Sequence, residues 1–393
     1  MKNFEKEKGK LLIFLLLLCA LAGCGEVDTA SETTADVIEE VTENTTEEVT
    51  EELSASETLE GDHNTDVEAL QKIIEEQNAL GADMSTDLNN KDYTWDENGR
   101  LIALDISFLN LKGELSCAGL PALRRLTCSG NEISSLDVSK NPALTDLFCS
   151  GNQINSLDVS ENTALESLSC SRNEISSLDV SQNTALTNLY CGYNQISSLD
   201  VSQNIALKEL NCSDNQISSL DVSQNIALTE LYCGSNEISS LDVSQNTALA
   251  VLNCDNNQIS SLDVSQNTAL AELRCYYNQI SSLDVSQNTV LMKLCCSNNE
   301  ISSLDVSKNT VLKYLSCDSN QINSLDVSQN TALRSLSCSR NEISSLDVSQ
   351  NTVLIDLDCS GNQIGSLDVS NCSLLEYFLY DDNNSDMEVI GWQ

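Results

Sequence analysis

A β-rich solenoid is the fold class that the sequence predicts: about twelve to thirteen stacked 21-residue coils joined through parallel strands. A short helical cap precedes the stack, and a disordered acidic spacer precedes the cap. Three observations predict it. Leucine recurs at 123, 144, 165 and so on to 354, every 21 residues without an insertion. Within each period L-x-x-L-x-C is followed ten residues on by I-x-x-L-x-V, and both patterns alternate as a half-buried strand does. One period is too small to make a core alone, whereas stacked periods bury their apolar residues against those above and below.

Taken from the start, residues 1–23 read as a targeting segment. Lys2, Lys6, Lys8 and Lys10 make a basic opening, and the apolar run after them is shorter than the ~20 residues a membrane span needs. The run ends in Leu21-Ala22-Gly23-Cys24, which resembles the lipobox of bacterial lipoproteins. That resemblance implies lipidation of Cys24, which becomes the mature N-terminus and holds the chain at the cell membrane, facing the extracellular surface or the periplasm. Residues 24–64 form the spacer. Between 25 and 66 there are fifteen Asp or Glu and no Lys or Arg, a composition that cannot bury enough apolar surface to offset chain entropy. Residues 65–100 are assigned to the N-terminal cap. Thr65-Asp66-Val67-Glu68 fits a capping box, and Val67, Leu70, Ile73 and Ile74 follow at helical spacing. Gln77 interrupts that apolar stripe and Gly81 is a stop signal, so a short helix is expected over 65–80.

Residues 101–374 hold the repeats, with the unit L-x-x-L-x-C-x-x-N-[EQ]-I-x-S-L-D-V-S-x-N-x-x twelve times. Only the last copy departs from it, with Cys372 in place of the second asparagine. A flanking unit over 101–115 is one residue longer and lacks the cysteine, and a decayed one over 375–383 has Tyr380 where cysteine is due. Residues 375–393, from Tyr377 and Tyr380 to Trp392, are assigned to a C-terminal cap. The unit resembles the leucine-rich repeat, L-x-x-L-x-L-x-x-N-x-L, and is similar to its short bacterial 21-residue class with cysteine in the third apolar slot. The stretch TWDENGRLIALDIS (94–107) resembles the entry from a cap into such a domain. The resemblance implies a protein that binds partners through the strand face around L-x-L.

Composition excludes several kinds of chemistry. The formal charge is −41, and removing the targeting segment and the spacer leaves −28 for residues 67–393, a poor match for nucleic acid. The single histidine, His63, lies in the spacer, which removes Ser-His-Asp and Cys-His catalysis and multi-histidine metal centres. No phosphate-cradling glycine loop is present. The chain therefore reads as a non-enzyme without a cofactor, and as a monomer.

Two invariant ladders run along the repeats. Cys128 to Cys359 occupy a core slot, where a free thiol serves as a small hydrophobe. No C-x-x-C pairs mark a metal site, while Cys295 falls in an outward slot and is expected to be exposed and reactive. Asp137 to Asp368 stand outward in SLDVS, where like charges ~4 Å apart cost about 1 kcal/mol in water and flanking serines can donate to them. The opposite side varies. The slot before each ladder cysteine holds Thr127, Phe148, Ser169, Tyr190, Asn211, Tyr232, Asn253, Arg274, Cys295, Ser316, Ser337 and Asp358. Tyr193, Tyr276 and Tyr277 lie just after a cysteine. Tyr and Arg are frequent interface anchors, so Phe148, Tyr190, Tyr193, Tyr232, Arg274, Tyr276 and Tyr277 are the expected contacts for an extracellular protein or glycan. A cation-binding or thiol redox module on one of the ladders and a passive surface scaffold are the other two readings.

Overall fold

The computed structural model describes residues 59–392, and the targeting segment, Cys24 and nearly all of the spacer lie outside them. Among the described residues one helix and nineteen strands follow one another, α1 (Leu59–Ala79) and then β1 (Tyr93–Trp95) to β19 (Glu388–Ile390). Fourteen parallel strands build the main sheet, and β1 covers its first edge by pairing antiparallel with β2 (Leu101–Asp105). The twelve regular coils are thus extended by one at each end. At the C-terminal end β18 (Tyr377–Leu379) pairs in register with β16 (Asp356–Asp358), so residues 375–383 add a coil to the stack.

Each repeat strand is three residues long, and each pairs with its neighbours 21 residues away, as Tyr190 does with Asn211 and Tyr232 with Asn253. In every regular coil the leucines, the ladder cysteine, the isoleucine and the valine are buried, forming one continuous core. The flanking unit places Ile106 in the cysteine slot, and its second strand pairs with a register shift that leaves Ser134 of the next coil unpaired.

The second side departs from the expectation of two equivalent extended sides. Paired strands occur there only at the ends, β3 (Lys112–Ser116) with β5 (Glu132–Asp137) and β17 (Ser366–Asp368) with β19. In the middle coils the backbone groups go elsewhere. The Ser160 N–H donates to its own coil's Asp158 carboxylate at 3.0 Å, and the Val138 carbonyl accepts from Asn162 Nδ2 at 2.9 Å. Aspartate and asparagine side chains thereby take the partners that a second ladder would need. At the turn after the strands a further asparagine row works in full: Asn152 Oδ1 accepts from the Ile133 N–H, and its Nδ2 donates to the carbonyls of Cys128 and Cys149.

The N-terminal cap corrects two expectations. The helix runs Leu59–Ala79, so Thr65 and Asp66 lie inside it and form no capping box. Asp66 is wholly buried and faces the first coil, accepting from Arg100 Nε at 2.9 Å and from the Leu101 N–H at 3.0 Å. Gln77 does not shorten the helix either. Its buried amide accepts from the Lys112 N–H at 3.0 Å and donates to the Glu114 carbonyl at 3.0 Å, standing in for a strand neighbour to β3. Gly81 does follow the helix end, with φ of 96°.

Candidate functional site

The variable face is set by the three-residue strands. Their middle leucine points into the core, so the residues on either side point outward, and the ladder cysteine turns in again. Parallel in-register pairing then aligns the outward slots as one column, Phe148, Ser169, Tyr190, Asn211, Tyr232, Asn253, Arg274, Cys295. Bulky and short side chains alternate strictly along it, so four of the seven expected contact residues recur at every second coil.

None of those four stands free in solvent. Phe148, Tyr190, Tyr232 and Arg274 are half-buried. The Tyr190 hydroxyl donates to the Glu209 carboxylate of the next coil, and the Tyr232 hydroxyl donates to Glu230 at 2.8 Å. Arg274 bonds Glu272, which also lies 3.5 Å from the Lys293 ammonium. Burial, reinforced by the hydrogen-bonded carboxylates, pushes both tyrosine phenols above their usual range. Tyr190, Tyr232 and Arg274 are thus held in place by carboxylates before any partner arrives.

Cys295 corrects the expectation of an exposed thiol. It is 2 % exposed, because it is the short member of the alternation beside Arg274. Tyr276 is also more enclosed than its slot promised, at 9 % exposed, and its hydroxyl bonds Asp255. Tyr277 is 55 % exposed and meets Tyr276 edge-on, ring centroids 5.7 Å apart.

A second column stands beside the first. The residue two after each ladder cysteine adopts a left-handed backbone in all twelve coils, from Gly130 through Arg172, Tyr193, Asp214 and Tyr277 to Gly361. A non-glycine residue there costs roughly 1–2 kcal/mol. Arg172 and Tyr193 meet across adjoining coils, the guanidinium carbon 4.2 Å from the ring centre, and Tyr193 also bonds Asp214. Arg172, Asp214, Asp255, Glu209 and Glu230 were not among the expected contacts. Glycine in this slot at 130, 151 and 361 was the signal for the turn.

The two ladders are quiet by comparison. All fifteen described cysteines are buried, and burial pushes Cys170 and Cys212, for example, up to about 12. Each SLDVS aspartate is exposed and held below the usual carboxylate range by the N–H and hydroxyl of the serine two residues on. Among the described residues no three His, Cys, Asp or Glu side chains are placed to hold a metal ion, and no helix is long and apolar enough to cross a membrane.

The fold is the leucine-rich repeat solenoid. No family model matches the chain, and no curated protein sequence matches it. Among solved structures the chain is similar to the functional domain of InlJ from Listeria monocytogenes, which includes a cysteine ladder. They share 39% identity over 71% of this chain and 63% of that domain, with a TM-score of 0.70, so the chain spans less than two thirds of that domain's length. A leucine-rich repeat protein of Leptospira interrogans shares 23% identity over 72% of this chain and 84% of its own, with a TM-score of 0.65. The leucine-rich effector YopM of Yersinia pestis shares 20% over 73% and 88%, with a TM-score of 0.59. The last two likenesses show the shared fold.

Proposed function

We propose that this chain is a non-catalytic binding module, held at the cell surface through a lipid on Cys24, that captures an extracellular protein through the variable strand face. The observation that carries the reading is the column in which Tyr190, Tyr232 and Arg274 are pinned by carboxylates, in line with the half-buried Phe148. Side chains already fixed by neighbouring carboxylates lose little rotamer freedom on binding, which is how rigid aromatic anchors raise affinity. The left-handed column adds a second support: Arg172, Tyr193 and Tyr277 occupy a slot where glycine would be unstrained, and strain of that kind concentrates at functional positions. Proteins and glycans of cell surfaces are the pools to probe. The thiol reading has little to support it, because wholly buried thiols raised this far carry little thiolate.

The test is capture by the full-length chain in detergent, compared with a variant carrying Tyr190→Ala, Tyr232→Ala, Arg274→Ala and Tyr277→Ala. The parent retains a partner, and the folded variant retains at least tenfold less of it. Equal capture by both would move binding to the caps or to the aspartate face. Mass spectrometry of the same preparation reads the lipid on Cys24, and an unmodified Cys24 removes the anchor from the proposal.

A further inference from the structure

The alternation along the variable face has a fixed length, and that length selects a shape of ligand. Tyrosines stand in the coils of Leu189, Leu231 and Leu273, and the coils between them present the shorter pairs Asn211 with Asp214 and Asn253 with Asp255. A short side chain between two long ones leaves a notch. In the second notch the Asp255 carboxylate, 8 % exposed, lies over Gly234, where an added Cβ would fall 2.3 Å from its Oδ1. The two notches lie two coils apart, about 9.6 Å at ~4.8 Å per strand. A polyproline II chain rises ~3.1 Å per residue and repeats its side-chain direction every third residue, about 9.3 Å.

Charge and ring faces then select the side chains. Four tyrosine hydroxyls in this stretch donate to carboxylates, which fixes the orientation of their rings. Among the described residues no ammonium or guanidinium forms an ion pair with Glu209, Asp214, Glu230 or Asp255. The chain itself shows which group suits a ring of this strip, because the Arg172 guanidinium sits 4.2 Å over Tyr193. Tyr277, in the same left-handed slot four coils on, is more exposed and carries no such cation among the described residues. The net charge of −41 draws cationic segments toward the molecule from a distance.

We propose that the partner engages this strip with an extended segment running along the stack, carrying Arg or Lys at positions i and i+3, one cation seated in each notch between tyrosine rings and a carboxylate. This rests on the binding-face reading and adds the chemistry and spacing of its ligand. Burial raises the Asp214 and Asp255 carboxyls above their usual range despite Arg172 and Arg274 nearby, so an added cation finds incompletely compensated charge there.

The test uses the full-length protein and two end-blocked twelve-residue peptides of identical composition. One has arginine at every third position among alanine, proline and serine, and the other has its arginines adjacent. Binding is measured by calorimetry, and contact by chemical shifts of the tyrosine rings. The spaced peptide is expected to bind at least tenfold tighter and to shift the rings of Tyr232 and Tyr277. The variant Asp214→Asn with Tyr277→Ala is expected to lose at least tenfold. The control Asp221→Asn with Asp242→Asn, which removes charge from the opposite face, is expected to lose less than threefold. Equal affinity for both peptides, or equal loss in both variants, would mean that the general field attracts cations and would overturn the proposal. Ring shifts with a soluble polysaccharide and none with either peptide would overturn it in favour of a glycan. In that last case, or if the tyrosine variant loses a captured partner that the spaced peptide does not displace, the binding-face reading stands while this one fails.

Discussion

Asparagine is the residue that turns each coil, and its two rows behave differently. Asn173 accepts from the Ile154 N–H at 3.0 Å and donates to the carbonyls of Cys149 and Cys170, so one side chain ties two coils. Replacing it with alanine leaves a buried N–H without its acceptor, a loss of about 2–3 kcal/mol. Urea unfolding of Asn173→Ala checks this, and a change below about 0.5 kcal/mol would mean that water replaces the amide. In the other row Asn183 Nδ2 donates to the carbonyls of Val159 and Asn162, while Oδ1 is buried without a partner, as in the ten other members of that row. Cys372 ends this row with its Sγ 3.6 Å from the Val348 carbonyl, filling the space with a weaker donor.

At the scale of elements, the open end of a parallel stack needs a cover, and helix α1 with β1 supplies it. Asp66 is the linchpin, since it takes both the Arg100 guanidinium and the Leu101 backbone N–H at the start of β2. Removing one partner from a buried ion pair costs about 3–5 kcal/mol. Asp66→Ala is therefore expected to free the first coils, read as faster amide exchange over residues 101–116 with the coils beyond residue 250 unchanged. Uniform loss of protection along the whole chain would show that the cap and the stack unfold as one. The sequence placed a helix here through Val67, Leu70, Ile73 and Ile74, but its polar members were misread. Thr65 and Asp66 look like a cap, and Gln77 looks like a break, only while the coil they pair with is out of view.

For the whole molecule, twelve near-identical coils multiply any small effect twelvefold. The serine N–H and hydroxyl hold each ladder aspartate low, although neighbouring aspartates one coil away, such as Asp200 and Asp242 around Asp221, push it back up. A carboxylate lowered in the folded state adds stability above its unfolded pKa of ~3.9, and that stability is lost as pH falls through the lowered folded value. Asp214 and Asp255, raised chiefly by burial, act in the opposite sense: their protonation favours the fold. With Asp356, which burial also raises, they are three against twelve. The melting temperature is expected to fall as pH drops from about 5 to about 2, and less steeply in a variant with Asp200→Asn, Asp221→Asn and Asp242→Asn. A melting temperature that rises on acidification would mean that repulsion along the ladder outweighs the serine bonds.

The period, the core and the turns were legible in the residues alone. A 21-residue spacing with one leucine frame admits a single register, and a shift by one residue would turn the leucines to solvent. The outward column was legible as well, down to Tyr190 and Arg274. Its consequences were not, because they lie between coils rather than along the chain. Cys295 is outward by alternation, yet buried because Arg274 lies beside it 21 residues away. Glu209 holds Tyr190 from the next strand, and Arg172 covers Tyr193 from the previous turn. Local pattern determines which way a side chain points. What covers it or binds it is decided by stacking, which sets residues 21 apart in sequence about 4.8 Å apart in space.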